Sequence, residues 1–318
     1  MGAADAAKAA IGETLATLAA KGKIARADAE AAAARIVAVH ALGDVVSAGL
    51  VVEAIVEDLE IKRKLLRELE VVVAPEAILA SNTSSLSITA LQAGMKHPGR
   101  MVGMHFFNPA PLLPLVEVVS GLATDAAVAD AVYATAQAWG KIPVHALSTP
   151  GFIVNRCARP FYGEALRLLQ ERATDAATLD AIMREAGGFR MGPFELIDLI
   201  GADVNLAVTR SVWEAYFHDA RFTPSVLQQE MVAAGFHGRK TGRGYYDYAP
   251  DTTRPQPRTE AIQPAPAHVG IAGEGLVLGS FAADLVRGRL EVAEIDQQAD
   301  IIQFTAAGKD LDLVIVSV

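Results

Sequence analysis

Six short apolar runs between residues 36 and 147 constrain this chain more than any other feature: IVAVHA, GLVVEAIV, AILASN, MVGMHF, LVEVV and IPVHAL. Several are almost continuously apolar, as strands covered on both faces must be. Helix-patterned segments separate them, DLEIKRKLLRELEVVV after the second, SITALQAGM after the third and DAAVADAVYATAQAWG before the last. Alternating strand and helix predicts a parallel α/β sheet. In such sheets ligands sit beyond the carboxyl ends of the strands. Glu57, Asp58 and Lys62, the run Asn82 to Ser85, and the run His105 to Asn108 all follow strand runs, so they are expected on one common edge.

The flanking regions are helical. Residues 3 to 20 read as an Ala-rich helix, and a second follows the Lys21-Gly22-Lys23 break, giving a helical hairpin. Lys21, Lys23 and Arg26 form its basic corner, which is either solvated or a phosphate holder. After Pro150 the patterns GFIVNRCARPFYGEALRLLQE, TDAATLDAIMREAG, PFELIDLIG and ADVNLAVTRSVWEAYF predict an all-α region. Its Trp213, Tyr216 and Phe217 read as core or as a dimerising face, and its Cys157 as core. A Pro-rich polar linker then leads to VGIAGEGLVLGSFAADLVRGRLEV and the apolar end LDLVIVSV, a small β/α segment whose last strand reads as cut short. Gly273-Glu274-Gly275 reads as a turn, because the third glycine of a phosphate loop is missing.

At 318 residues, with 52% hydrophobic and 20% charged residues, the chain suits a globular protein of about two domains. Its net charge of −9 argues against a nucleic-acid surface, and a single cysteine excludes an internal disulfide or a zinc cluster. No apolar run reaches the roughly 18 residues of a membrane span, and no secretory signal opens the chain, so a cytoplasmic protein is expected.

Chemistry gathers in VGMHFFNPAPLLPLVEVV, residues 102 to 119. Two strand-like runs flank a Pro-rich turn, and antiparallel or adjacent pairing would join His105 to Glu117. A buried carboxylate beside an imidazole fixes its tautomer and makes a general base. A satisfied core histidine beside a strand-edge carboxylate remains the structural alternative. Five polar residues in a row within SNTSSLSIT exceed the needs of one helix cap, and Asn155 interrupts an apolar helix start.

SNTSSL, HFFNPAPLLPLVEVV, TPGFIVNR and MGPFELIDLIG, in this order, resemble the L-3-hydroxyacyl-CoA dehydrogenase family, in the form assigned to 3-hydroxybutyryl- or 3-hydroxyadipyl-CoA, over about residues 3 to 248. The resemblance implies NAD-dependent oxidation of an L-3-hydroxyacyl-CoA to the 3-oxoacyl-CoA, as in fatty-acid or aromatic-acid degradation. It implies that His105 takes the proton of the 3-hydroxyl, that Glu117 orients and charges it, and that Ser84 and Asn155 hold substrate oxygens. Glu57, Lys62, Asn82 and Asn108 would contact NAD, with Lys240 near it, and Thr14 and Lys21 would lie beside the CoA moiety. The implied fold is an incomplete Rossmann-type doubly wound sheet followed by an all-α domain. The divisions expected are a partial dinucleotide-binding domain with its hairpin at 1–147, a helical substrate and homodimerisation domain at 148–248, the linker at 249–267 and a further α/β segment at 268–318.

The family opens with a strand, a Gly-rich phosphate turn and its helix, and a second strand with a ribose-binding acid. No G-x-G-x-x-G follows a strand in this sequence, so the sheet is expected to lack its central strand and to expose apolar flanks. Two other readings stay open: a non-catalytic acyl-CoA-binding or dimerising module, and a hydrolase using Ser84, His105 and Glu117, which lacks a G-x-S-x-G elbow.

Overall fold

The structure, a computed structural model, describes residues 2–259 and the strands at 268–272, 291–294 and 313–316. It divides into two compact units, 1–257 and 258–318.

The first unit begins with the hairpin, α1 (Ala3–Ala20) and α2 (Arg26–Ala34). Five strands follow in the order β1 (Leu50–Glu53), β2 (Ile78–Ser81), β3 (Met101–Phe106), β4 (Leu115–Ser120) and β5 (Ile142–Leu147), and they lie side by side in that same order. β1 to β3 are parallel, β3 and β4 are antiparallel, and β4 and β5 are parallel. The sheet is therefore mixed, because the 107–114 turn is too short for a parallel crossover.

α3 (Leu59–Val72) starts at Asp58, whose carboxylate accepts from the amides of Glu60 and Ile61. α4 (Ile88–Gln92) starts at Ser87, the hydroxyl of the SNTSSLSIT run that caps a helix. These helices cover one face of the sheet through Leu66, Leu69, Ile88 and Leu91, packed with Leu79, Met101, Val119 and Phe152. α5 (Ala126–Ala138) covers the other, where Ala129, Val132 and Ala136 meet Val102, Met104, Val116 and Val118. Gly103 lets the first layer close: a Cβ there would lie 2.8 Å from Val119 Cβ and 2.9 Å from Ile88 Cδ1.

IVAVHA, expected as a strand, is not one. Asp44 accepts from the amides of His40 and Ala41, drawing the segment into a turn, and no strand of the described residues pairs with it. Val52 in the edge strand β1, and Ile55 and Val56 just after it, are exposed, as expected of uncovered apolar flanks.

Helices α6 (Val154–Gln170), α7 (Ala176–Glu185), α8 (Pro193–Ile200), α9 (Ala202–Ala215) and α10 (Val226–Ala233) follow. Their core holds Tyr162, Leu166, Leu179, Phe194, Ile197 and Tyr246. Asp198 fixes the closing segment by accepting from the amides of Tyr245 and Tyr246, and Asp180 accepts from the Tyr246 hydroxyl. Cys157, expected in this core, is exposed: it sits on the side of α6 turned away from Tyr162 and Leu166. Phe217, expected in the core or on a dimerising face, is 94% exposed, which excludes the core reading alone. It follows the end of α9 at φ 55°, where the chain has left the helix and its packing periodicity.

The second unit contains three parallel strands, β6 (His268–Ala272), β7 (Glu291–Glu294) and β8 (Leu313–Val316), in the order β7-β6-β8. Gly273-Glu274-Gly275 lies outside the described residues.

Candidate active site

The antiparallel β3–β4 ladder sets His105 directly opposite Glu117, so both side chains emerge on one face. Both are buried, and His105 Nδ1 lies 2.7 Å from Glu117 Oε2. The other oxygen, Oε1, accepts from the amides of Ile153 and Val154, each at 2.9 Å, at the start of α6. Burial alone would raise the Glu117 carboxyl. The bonds from His105, Val154 and Ile153 outweigh it and hold the group below the usual carboxylate range, with the helix terminus favouring the same charge. An ionised Glu117 makes Nδ1 the protonated nitrogen and leaves Nε2 as the basic one. The imidazole is flanked by Phe107 at 4.6 Å and Phe152 at 5.7 Å between ring centroids.

Beside this pair the ends of β1 and β2 form a second network. Glu57 Oε1 accepts from the Thr83 hydroxyl at 2.5 Å, the Ser85 hydroxyl at 2.9 Å and the amides of Ser84 and Ser85 at 3.1 and 3.2 Å. Burial would raise Glu57, but the hydroxyl bonds and the Lys62 cation hold it below its ordinary value. Lys62 is 1% exposed, and its ammonium meets Glu53 at 2.7 Å, the Ile55 carbonyl at 3.1 Å and Glu57 at 3.3 Å. Its three protons are thus spoken for inside the protein. Glu53 also accepts from the Ser81 hydroxyl at 2.6 Å. Asn82 Oδ1 takes the Phe106 amide at 2.9 Å, tying this turn to the residue after His105.

The expected edge is therefore real for Glu57, Lys62, Asn82, Ser84 and His105. The Ser84 hydroxyl and the Asn155 amide are half-buried and have no hydrogen-bond partner among the described residues, so both are available to a ligand. Asn108 is exposed just past the end of β3. Lys240 instead pairs with Asp203 of α9, at 2.6 and 2.8 Å. Thr14 spends its hydroxyl on the Ala10 carbonyl, and Lys21 is exposed at the hairpin turn. Sequence reasoning missed Glu53, although a carboxylate inside LVVEAIV was a signal, and missed Phe152, whose type announces nothing about its backbone. Among the described residues no three or more His, Cys, Asp or Glu gather to hold a metal, and no helix is long and apolar enough to cross a membrane.

A doubly covered sheet that gathers a histidine–carboxylate pair and free polar anchors at its strand ends, followed by a helical domain, has the plan of a two-domain dehydrogenase. The chain belongs to the 3-hydroxyacyl-CoA dehydrogenase family. The family's NAD binding domain matches residues 1–149 and its C-terminal domain residues 151–248. A 3-hydroxyadipyl-CoA dehydrogenase of Escherichia coli is 49% identical over 228 residues, covering 72% of this chain and 48% of that protein. A 3-hydroxybutyryl-CoA dehydrogenase of Bradyrhizobium diazoefficiens is 43% identical over 217 residues, 68% of this chain and 74% of that protein. The crystal structure of an Escherichia coli 3-hydroxybutyryl-CoA dehydrogenase superposes with a TM-score of 0.79 at 40% identity, covering 93% of this chain and 65% of that one. This chain thus spans about half the length of the first of these relatives and about two thirds of the solved one.

Proposed function

We propose that this chain carries the catalytic residues of an NAD-dependent L-3-hydroxyacyl-CoA dehydrogenase. The observation that carries the reading is the buried His105–Glu117 pair, 2.7 Å apart, beside two polar groups that have no protein partner. When the 3-hydroxyl is oxidised, His105 Nε2 takes its proton, and Glu117 stabilises the imidazolium that forms. Ser84 and Asn155 hold the substrate oxygens. NAD, when bound, supplies the hydride acceptor.

The residues present fit the nicotinamide end of that cofactor: the turn at 82–85 is rigidly held and presents a free hydroxyl. Asn82, Glu57 and Asn108 would line it, and Lys62 would act through Glu57, since its own ammonium is buried. Lys240 would approach the cofactor from the helical domain, and Thr14 and Lys21 the CoA moiety. The Gly-rich turn that cradles a pyrophosphate is not in the 318 residues. The same reading makes the protein a cytoplasmic homodimer joined through its helical domain, with that domain at 148–248.

The test is to mix the protein with acetoacetyl-CoA and NADH and follow the loss of reduced-nicotinamide absorbance, with calorimetry on each ligand separately. Turnover supports the proposal. Acetoacetyl-CoA binding without NAD binding would establish instead a non-catalytic acyl-CoA-binding module.

A further inference from the structure

Phe152 stands in the sequence TPGF, where nothing marks it out. Yet it holds φ at +48°, in the left-handed region that a bulky side chain rarely adopts. It is 3% exposed and belongs to the core beneath the sheet, with its ring edge against the His105 imidazole. Gly151 before it stands at φ 75°, packed so closely that a Cβ would come within 2.9 Å of the Arg156 amide. The two residues after it, Ile153 and Val154, are the ones whose amides bind Glu117 Oε1. Strain held at one residue between a base and its carboxylate points to a task that an ordinary backbone would not perform.

We infer that Phe152 is a positioning residue for the proton-transfer pair: its left-handed backbone aims the amides of Ile153 and Val154 at one oxygen of Glu117, and its ring closes the side of the imidazole. With Oε1 pinned, the carboxylate plane is fixed and Oε2 meets His105 Nδ1 at 2.7 Å. If φ reversed, the next peptides would turn away and Glu117 would lose two donors. His105 on β3 and the start of α6 are the polar groups that face this carboxylate.

The inference rests on reading His105 and Glu117 as the working pair, but its test needs neither cofactor nor substrate. The variants Phe152→Gly, Phe152→Ala and Phe152→Val all remove the ring, whereas tolerance of positive φ falls from Gly through Ala to Val. The 13C carboxyl resonance of Glu117, identified by its loss in Glu117→Gln, is titrated in each. The midpoint is expected to stay at the parent's value in the Gly variant and to rise in the Ala and Val variants, by about one unit in the latter. A merely structural Phe152 would lower the melting temperature of all three and leave that midpoint where the parent has it. Equal midpoints in Gly and Ala overturn the inference, and this contrast decides the matter even if the Val variant fails to fold. A silent dehydrogenase assay beside the expected titration series would count against the proposed activity and not against Phe152.

Discussion

Glu117 faces His105 across the one antiparallel ladder of the sheet, and its second oxygen caps the first helix of the following domain. One carboxylate therefore orients the base and fixes α6, on which Asn155 stands as the second residue.

Glu117→Gln is expected to remove hydride transfer while the protein stays folded. The amide keeps its size, and its oxygen still accepts from the Ile153 and Val154 amides. Its NH2 must then donate to Nδ1, which moves the imidazole proton to Nε2 and blocks the base. A loss of about 10²- to 10⁴-fold in turnover is expected, the usual weight of a positioned general base. Unchanged turnover would remove His105 from that role.

The acid side of the stability profile should depend on the same group. Glu117 and Glu57 are both held below the ordinary carboxylate value. A carboxyl depressed by folding adds stability that is fully present above its unfolded value, near about 4.3, and is lost as pH falls through the lower folded value. Urea midpoints measured from pH 7 down to pH 3 should therefore fall less steeply for Glu117→Gln than for the parent. Parallel profiles would contradict the depressed value.

Much of this site can be read in the sequence, because pattern and chemistry coincide there. The runs MVGMHF and LVEVV are short, apolar and joined by a turn rich in proline, so the pairing that joins His105 to Glu117 follows from local signals. IVAVHA is about as apolar but has no ladder partner among the described residues, and apolarity alone does not say whether a strand will have one. Cys157 and Phe217 failed as core residues because apolar type says less than helical phase and helix end. Phe152 was invisible, since positive φ in a non-glycine residue is imposed by packing and not by propensity.

The buried Lys62–Glu53 pair lends itself to a double-mutant cycle. Lys62→Met alone leaves two carboxylates facing each other without their cation, at an expected cost of about 3–5 kcal/mol in urea denaturation. Adding Glu53→Gln should recover part of that loss, because the uncompensated charge inside the protein disappears. Strictly additive losses would show that the two groups do not act as a pair.

The helical domain leaves Ile182, Leu199, Val204 and Phe217 exposed, and apolar side chains of this kind supply the contact area of a subunit interface. Light scattering on the eluting protein should give twice the chain mass of 33.5 kDa. A double substitution, Leu199→Asp with Val204→Asp, should halve that mass while helix content is kept, since both side chains are about half exposed and contribute little to the domain's own core. A parent that elutes at the mass of one chain would rule out the dimer, and a dimer that survives the double substitution would place its interface elsewhere on the molecule.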